Sequence, residues 1–370
     1  MRKRRILQFP ISNAYGGITN YAINNWMLLD KTKFECDFAT MSKQLDFEQK
    51  IIESGAGVVY ISQYPQENKE QFVKEMMELL DREYDVVHLH TGRWKDLTIE
   101  KLCKKVGVKK VIVHSHNSYC GNQDETIEAE AVAIHNRVKN EFTENMATDY
   151  WACSQKAADW LFGEQIPREK IKIMPNAIDL DKFSFDRHTR EKKRIELGIS
   201  LDDYVIGCVG RISYQKNQRM LIKAFALAHS GDEKYKLLLV GTGPDEPECK
   251  KLARELGVNR QVVFAGMRYD IADIYHTFDI FALASRYEGL PISIIEAQAS
   301  GLVCLVNETI ANEVFITPNC LKVQNELDAW KIALKEVGCV YPRNGYRDKM
   351  AAAGYDIKRQ IKIIEKEYSE

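Results

Sequence analysis

The sequence predicts an α/β protein built from two doubly wound parallel sheets that face one another. Three observations carry that reading. Short β-rich runs alternate with helical stretches, the alternation breaks once and then restarts, and a chain of 370 residues has the length of two such units. Strands joined by helices must run parallel and be covered on both faces, because each crossover lays a helix on the sheet.

The first unit opens with a strand at 6–9, a loop holding Gly16 and Gly17, and a helix over about 18–29. Further strands are expected at 36–40, 58–62, 85–90, 110–114, 150–153 and 171–174, with helices near 46–54, 67–82, 96–106, 124–147 and 154–162. The run Pro175-Asn176-Ala177-Ile178-Asp179 breaks the pattern, and a charged stretch, 187–196, follows it. The domain boundary is placed here: 1–178 form the first domain and 179–345 the second. The charged, helical segment 346–370 has no strand to serve and is expected to pack back on the first domain.

The second unit repeats the scheme with strands at 205–209, 236–240, 261–265, 280–284 and 303–306, separated by helices near 216–229, 246–256, 271–276 and 291–300. Ligands of open parallel sheets bind beyond the carboxyl ends of the strands, where helix N-termini present free amides. Two facing sheets would place a cleft there.

Composition removes several function classes. The 52 basic and 53 acidic residues nearly cancel, which argues against a nucleic-acid binder driven by global charge. Nine scattered cysteines, odd in number and never in a CxxC pair, read as reduced thiols of a cytoplasmic protein rather than a disulfide frame or a zinc site. The apolar run after MRKRR ends at Pro10, too early for a signal peptide, and no run is long enough to span a bilayer. Arg2, Lys3, Arg4 and Arg5, with Lys104, Lys105, Lys109 and Lys110, form basic clusters suited either to solvent or to peripheral contact with the cytoplasmic membrane face.

The most informative stretch is FDIFALASRYEGLPISIIEAQASG, 278–301. A strand ends in a polar loop, Pro291 begins a helix, and Gly301 closes it. Glu288 then lies in the loop and Glu296 in the second helical turn, with the amides of Gly289, Leu290 and Ile292 between them at a helix end that favours negative charge. On this stretch alone, a turn cap and a solvated glutamate are the more economical account of the two carboxylates.

Other strand ends carry related signals. GRISYQKN follows the strand VIGCV and offers Arg211 as a planar fork and Lys216 as a point charge for one diphosphate, although both would also suit a solvated loop. Gly241-Thr242-Gly243-Pro244 and Gly266-Met267-Arg268 end the next two strands. Gly16-Gly17 would let a phosphate approach the backbone, but GGITNY lacks the third glycine of a dinucleotide fingerprint, and a plain turn fits as well. In KVIVHSHN, His114 and His116 share one side of a strand end next to Asn117. Contact with a substrate hydroxyl or phosphate, a buried hydrogen-bonded pair, or a metal site completed by His88 or His90 all remain open.

Taken together, the ordered run GRISYQKN, LLLVGTGP, VVFAGMR and DIFALASRYEGLPISIIEAQASG resembles family 4 glycosyltransferases of the GT-B fold, and most closely those of bacterial exopolysaccharide, capsule and lipopolysaccharide assembly, where HSHN and WACS…LFG…IMPNAID also recur. The resemblance implies a metal-independent enzyme without cofactor. It would transfer a hexose from a nucleotide-diphosphate sugar, a UDP-sugar by preference, to a saccharide or lipid-linked saccharide with retention of configuration. Carried over by position, Arg211 and Lys216 hold the diphosphate with help from the Gly16-Gly17 amides. Glu296 binds the ribose; Glu288 and the segment Gly289, Leu290, Pro291, Ile292 bind the sugar, and the backbone of Gly266, Met267 and Arg268 faces the base. His116 is expected near the anomeric carbon, with His114 and Asn117 as weaker sugar or acceptor contacts. Catalytic roles are implied for His116, Glu288, Arg211 and Lys216. The segment 308–327 departs from the family in being short and free of glycine. A nucleotide-sugar epimerase of the same fold and a noncatalytic partner subunit are the competing readings; the first needs a further acid/base pair around the sugar, and the second usually loses the site residues.

Overall fold

A computed structural model describes residues 2–13, 16–229, 231–338, 343 and 346–370. Two compact units emerge: one of residues 1–120, 124–176 and 357–370, the other of 121–123 and 177–356.

In the first unit the order is β1 (Arg4–Ile11), α1 (Gly17–Leu28), β2 (Phe34–Thr40), α2 (Glu48–Glu53), β3 (Gly57–Tyr60), α3 (Lys69–Leu80) and β4 (Val86–Thr91). It continues with α4 (Thr98–Val106), β5 (Lys110–Ser115), α5 (Glu125–Glu141), β6 (Asp149–Ala152), α6 (Gln155–Leu161) and β7 (Ile171–Ile173). The seven strands lie in the order β3-β2-β1-β4-β5-β6-β7, and every pair is parallel. Strand order therefore reverses between β1 and β4.

Alternation along the strands divides two apolar layers. Leu7, Val87, Leu89, Val111 and Val113 face Phe72 and Met76 of α3, Leu102 of α4 and Leu161 of α6. Ile6, Val86, Ile112 and Trp151 face the other way, toward Tyr21, Ile23 and Trp26 of α1. Side chains cap the helices where the sequence supplies them: Asn68 accepts from the Gln71 amide, Asp124 from Thr126 and Ile127, and Ser154 from Ala157.

The second unit runs α7 (Arg187–Glu196), β8 (Tyr204–Val209), α8 (Gln218–His229), β9 (Tyr235–Val240), α9 (Glu246–Glu255), β10 (Val262–Gly266), α10 (Ile271–Thr277) and β11 (Ile280–Leu283). Then come α11 (Ile292–Ala299), β12 (Val303–Asn307), β13 (Cys320–Val323), α12 (Leu327–Glu336) and α13 (Arg347–Ala352). Its sheet is β10-β9-β8-β11-β12-β13, again all parallel, and it reverses between β8 and β11.

Three differences from the sequence reading have clear causes. The charged stretch 187–196, to which the sequence reading assigns no element, is helix α7, capped by Asp186 and anchored by a fully buried Arg194. That guanidinium binds the backbone carbonyls of Thr277, Ser200, Leu201 and Asp203 and the Asp279 carboxylate at 2.7 Å. The expected helix 346–370 is two helices. A turn at Ala353–Asp356, with Gly354 at φ 91°, separates α13 from α14 (Ile357–Ser369). Only α14 belongs to the first unit, where Ile361, Ile364 and Tyr368 complete the layer against α1. The boundary residue Gly345 and Cys339 lie outside the described residues. Third, β13 extends the second sheet in the segment that departs from the family pattern. The eight described cysteines are free thiols.

Candidate active site

In the second unit, the loops after β8 and β11 flank the point where strand order reverses, the position at which open α/β sheets hold ligands. Hydrogen bonds stitch these two loops together. The Arg286 amide donates to Gln215 O (2.8 Å), Gln215 Nε2 to Tyr287 O (3.0 Å), Arg286 Nη2 to Asn217 Oδ1 (3.2 Å) and Asn217 Nδ2 to Ala284 O (3.3 Å). Asn217 sits at φ 54°, a left-handed conformation that asparagine tolerates better than most residues. Arg286 also lies over the Tyr214 ring, 4.3 Å from its centroid.

This stitching brings Lys216 onto Glu288, with Nζ 2.6 Å from Oε1. The sequence reading put these residues on separate halves of a donor site; here they are one ion pair. Glu288 is 7% exposed, and Gln215 Nε2 lies 3.4 Å from its second oxygen. A buried pair of this kind is neutral as a unit but costs several kcal/mol when one partner is removed. Arg211, by contrast, is exposed.

Helix α11 begins at Ile292 with Pro291 as its N-cap residue, and Gly301 closes it at φ 70°, its amide donating to Gln298 O. Glu296 is half-buried on this helix, and Tyr275 Oη lies 2.8 Å from its carboxylate. Burial pushes the Glu296 pKa up to about 7, opposed by the Tyr275 hydrogen bond and by the charge of Lys216. Ser285 Oγ and Ser293 Oγ, at the end of β11 and the start of α11, are buried without a hydrogen-bond partner among the described residues.

The two glycine-rich turns have different causes. A Cβ on Gly241 would lie 2.3 Å from Gly210 O, and one on Gly243 only 2.1 Å from Ile212 O. The glycines of 241–244 thus let the loops after β8 and β9 touch, as the Ile212 amide to Thr242 O bond (3.0 Å) shows. Gly16 and Gly17 begin α1 with ordinary φ, and among the described residues a Cβ on either meets nothing within 4 Å. Their open side is available to a ligand. In the loop after β10, Gly266 is left-handed at φ 67°, Met267 is half exposed, and the Arg268 side chain is held by Asp270 and Glu196.

At the reversal point of the first unit the polar groups are neutral. Gln8 of β1, His88 and His90 of β4, and His114 and His116 at the end of β5 share one face and are all buried. His116 Nε2 lies 3.0 Å from His90 Nδ1, and His90 Nε2 lies 2.6 Å from Gln8 Oε1. His114 Nδ1 lies 3.2 Å from His88 Nε2, and His88 Nδ1 lies 2.7 Å from the Tyr368 hydroxyl of α14. Burial is the largest cause lowering the pKa of all four rings, that of His90 to about 3, so they are neutral at pH 7. His88, His90 and His114 bring ligand atoms within 4.8 Å of one another, a spacing that a metal ion could use. Every nitrogen of the three except His114 Nε2 is already in the hydrogen-bond chain.

Each unit has a family match in sequence. Residues 189–327 match the family described as Glycosyl transferases group 1, and residues 15–182 match Glycosyltransferase Family 4. The chain is a family 4 glycosyltransferase of the GT-B fold. Among its relatives is a Bacillus subtilis protein described as a glycosyltransferase, EpsF, 27% identical over 97% of this chain and 94% of its own. Another is the Escherichia coli UDP-Gal:alpha-D-GlcNAc-diphosphoundecaprenol alpha-1,3-galactosyltransferase, 26% identical over 71% of this chain and 66% of its own. The solved structure of HepE from Anabaena in complex with UDP superposes with a TM-score of 0.75 at 17% identity, covering both chains fully. WaaG, a glycosyltransferase involved in lipopolysaccharide biosynthesis, superposes at 0.71 and 15% identity, over 98% of this chain and 95% of its own. These structures share its fold.

In this glycosyltransferase the sequence reading missed Gln215, Tyr275, Gln8 and Tyr368. His88 and His90 carried a signal in their alternate spacing, which matches that of His114 and His116 on the neighbouring strand; Tyr368, in a charged helix far along the chain, carried none. Of the basic clusters, Arg2 is paired with Asp85, Arg5 with Glu35 and Lys110 with Asp149, and Arg4 donates to Ser369 O, which leaves Lys3, Lys104, Lys105 and Lys109 exposed. No described helix is long and apolar enough to cross a membrane.

Proposed function

We propose that this glycosyltransferase moves a hexose from a UDP-sugar to a saccharide or lipid-linked saccharide during cell-surface polysaccharide synthesis, with retention of anomeric configuration and without a metal ion. The observation that carries the reading is the convergence of Lys216, Glu288 and Glu296 at the reversal point of the second sheet. A nucleoside diphosphate leaves in this reaction, and fixed positive charge stabilises what develops on its phosphates. Lys216, released from Glu288 by the incoming donor, and the exposed Arg211 supply that charge. The freed Glu288, with the amides of Gly289 to Ile292, accepts the sugar hydroxyls, and Glu296 takes the ribose. The backbone of Gly266 to Arg268 meets the base, the Gly16-Gly17 amides a phosphate oxygen, and His116, with His114 and Asn117 beside it, a sugar hydroxyl. The departing phosphate deprotonates the acceptor on the same face.

HepE was crystallised with UDP and with UDP-glucose, and the E. coli relative is named for a UDP-galactose donor and a lipid diphosphate acceptor, which supports this donor and acceptor class. The exposed Lys3, Lys104, Lys105 and Lys109 are the residues on which peripheral membrane contact would rest. The test is hydrolysis and transfer with UDP-glucose, UDP-galactose and UDP-N-acetylglucosamine, with and without EDTA. Turnover of one donor that survives chelation and is lost in Lys216→Ala and Glu296→Ala is expected. Failure to bind any nucleotide sugar, or an inverted anomer by NMR, overturns the reading.

A further inference from the structure

Arg286 stands two residues ahead of Glu288 in the loop after β11, and its contacts fall on one short stretch of the loop after β8. Its amide donates to Gln215 O at 2.8 Å, its guanidinium lies 4.3 Å from the centroid of the Tyr214 ring, and its Nη2 donates to Asn217 Oδ1 at 3.2 Å. Of the four residues 214–217, Arg286 therefore holds three. The fourth, Lys216, is the one whose side chain reaches Glu288, with Nζ 2.6 Å from Oε1.

The same stretch is closed on itself. The amides of Lys216 and Asn217 both donate to Ser213 O at 3.0 Å, and Asn217, left-handed at φ 54°, turns the chain into α8. The Asn217 side chain is spent on the end of β11: Nδ2 donates to Ala284 O at 3.3 Å, while Oδ1 accepts from Arg286. Asn217 is buried and Arg286 is exposed. The turn thus has an inner tie, the Asn217 amide, and an outer one, the Arg286 guanidinium.

An exposed cation on a ring and an amide adds little to the stability of a fold. What such a tie changes is the freedom of the segment beneath it. Lysine presents a point charge on a flexible stem, so the backbone that carries it must supply the direction. In the proposed function Lys216 exchanges the Glu288 carboxylate for a phosphate oxygen. With residues 214–217 tied, that exchange rotates side-chain bonds alone. With the tie cut, the donor must also order the turn, and the cost appears as lost affinity.

We propose that Arg286 is a positioning residue for Lys216: by holding Tyr214, Gln215 and Asn217 it fixes the turn that carries the lysine, and so sets the affinity of the site for the diphosphate of its donor. The link to the diphosphate rests on the proposed function; the hold on Lys216 does not.

The test compares Arg286→Ala in the wild type and in Lys216→Ala, with UDP titrations followed by ³¹P NMR and steady-state kinetics on UDP-glucose. In the wild-type background Arg286→Ala should raise the Kd for UDP and the KM for UDP-glucose about 10-fold, with kcat within about 2-fold and Tm nearly unchanged. Arg286→Lys keeps a cation for Tyr214 but has no fork to reach Asn217 as well, and should lose only about 3-fold. In Lys216→Ala the same substitution should add less than about 2-fold, because the residue it positions is gone. Equal losses in both backgrounds would mean that Arg286 acts independently of Lys216, as a direct ligand contact does, and would overturn the proposal. So would an unchanged Kd, or a loss confined to kcat. A readout without ligand is the coupling between Lys216 and Glu288 in a urea-unfolding cycle, which should fall by about half when Arg286→Ala is present throughout. Unaltered coupling overturns the hold on Lys216. If neither UDP nor any nucleotide sugar binds the wild type, the proposed function fails, and this coupling alone decides the positioning role.

Discussion

The two units use one topology and opposite electrostatics. Each sheet reverses strand order once, and each gathers polar side chains at the strand ends there. In the second unit the group is ionic: Lys216 on Glu288, with the partly protonated Glu296 close by. In the first it is a neutral chain of four imidazoles, an amide and a phenol. An ion pair holds charge that a diphosphate can exchange for its own. A neutral network holds lone pairs and protons in fixed places, which suits recognition of hydroxyls. The same topology therefore presents charge in one unit and fixed, neutral lone pairs and protons in the other.

The largest effect should come from breaking the ion pair. Lys216→Ala is expected to lower kcat/KM for the donor about 10²- to 10³-fold, the scale seen when one transition-state donor is removed. It should also destabilise the protein by about 3–5 kcal/mol, because Glu288 is left buried without its cation. Lys216→Ala combined with Glu288→Ala should recover most of that stability and none of the activity. Urea unfolding and steady-state kinetics on the four members of the cycle check this, and additive stabilities would remove the pair from the site. On the neutral side, His116→Ala should cost about 10- to 100-fold in kcat/KM, one substrate hydrogen bond and its geometry, with no such stability signature.

The comparison sharpens under a change of pH, because the two groups titrate in opposite senses. The histidines have folded-state pKa values below the ordinary 6.5, so the unfolded chain binds protons first. Their contribution to stability is present above pH 6.5 and is lost as pH falls below it, by up to about 1.4 kcal/mol per pH unit for each ring. Glu296 has its folded pKa raised from the ordinary glutamate value of 4.5 to about 7. Its contribution is present below pH 4.5 and is lost as pH rises through about 7. Stability measured against pH should therefore gain on the alkaline side in Glu296→Gln and be unchanged there in His90→Gln. A wild-type profile that Glu296→Gln does not alter between pH 5 and 8 would show that Glu296 is ionised throughout.

What the sequence showed and what it hid follow the same division between local and long-range causes. Strand and helix periodicity, Pro291 at a helix start and Gly301 past its end are local, and they placed Glu288 and Glu296 correctly along the chain. Arg194 gave no signal, because a charged residue looks solvated until its partner, Asp279, is found 85 positions away. The strand β13 escaped notice because only Cys320 and Val323 of its four residues are buried, so it shows no alternation. Glycines were ambiguous for a related reason: Gly243 serves the carbonyl of Ile212, a neighbour in space, whereas a Cβ on Gly16 or Gly17 would meet no atom of the described residues, and a glycine pair at a strand end cannot tell the two cases apart. The pairing of Lys216 with Glu288 needed the loops after β8 and β11 to be adjacent, which is a property of strand order.

The smallest expected effect tests the finest part of the ionic site. Tyr275 has one hydroxyl proton and two acceptors within reach, the Glu296 carboxylate at 2.8 Å and Ser293 O at 3.0 Å. When Glu296 is ionised the proton goes to the carboxylate; when Glu296 is protonated it can return to Ser293 O. The hydrogen bond to the charged form holds the Glu296 pKa below where burial alone would put it. Tyr275→Phe removes that restraint and should cost only about 1 kcal/mol of stability, since the ring packing is kept. It should also move the pH at which donor KM falls upward from about 7, so that activity at pH 7 drops a few-fold while activity at pH 8.5 is nearly restored. Recovery at high pH separates a shifted carboxylate from a disordered pocket, because disordered side chains would lower the profile at every pH alike.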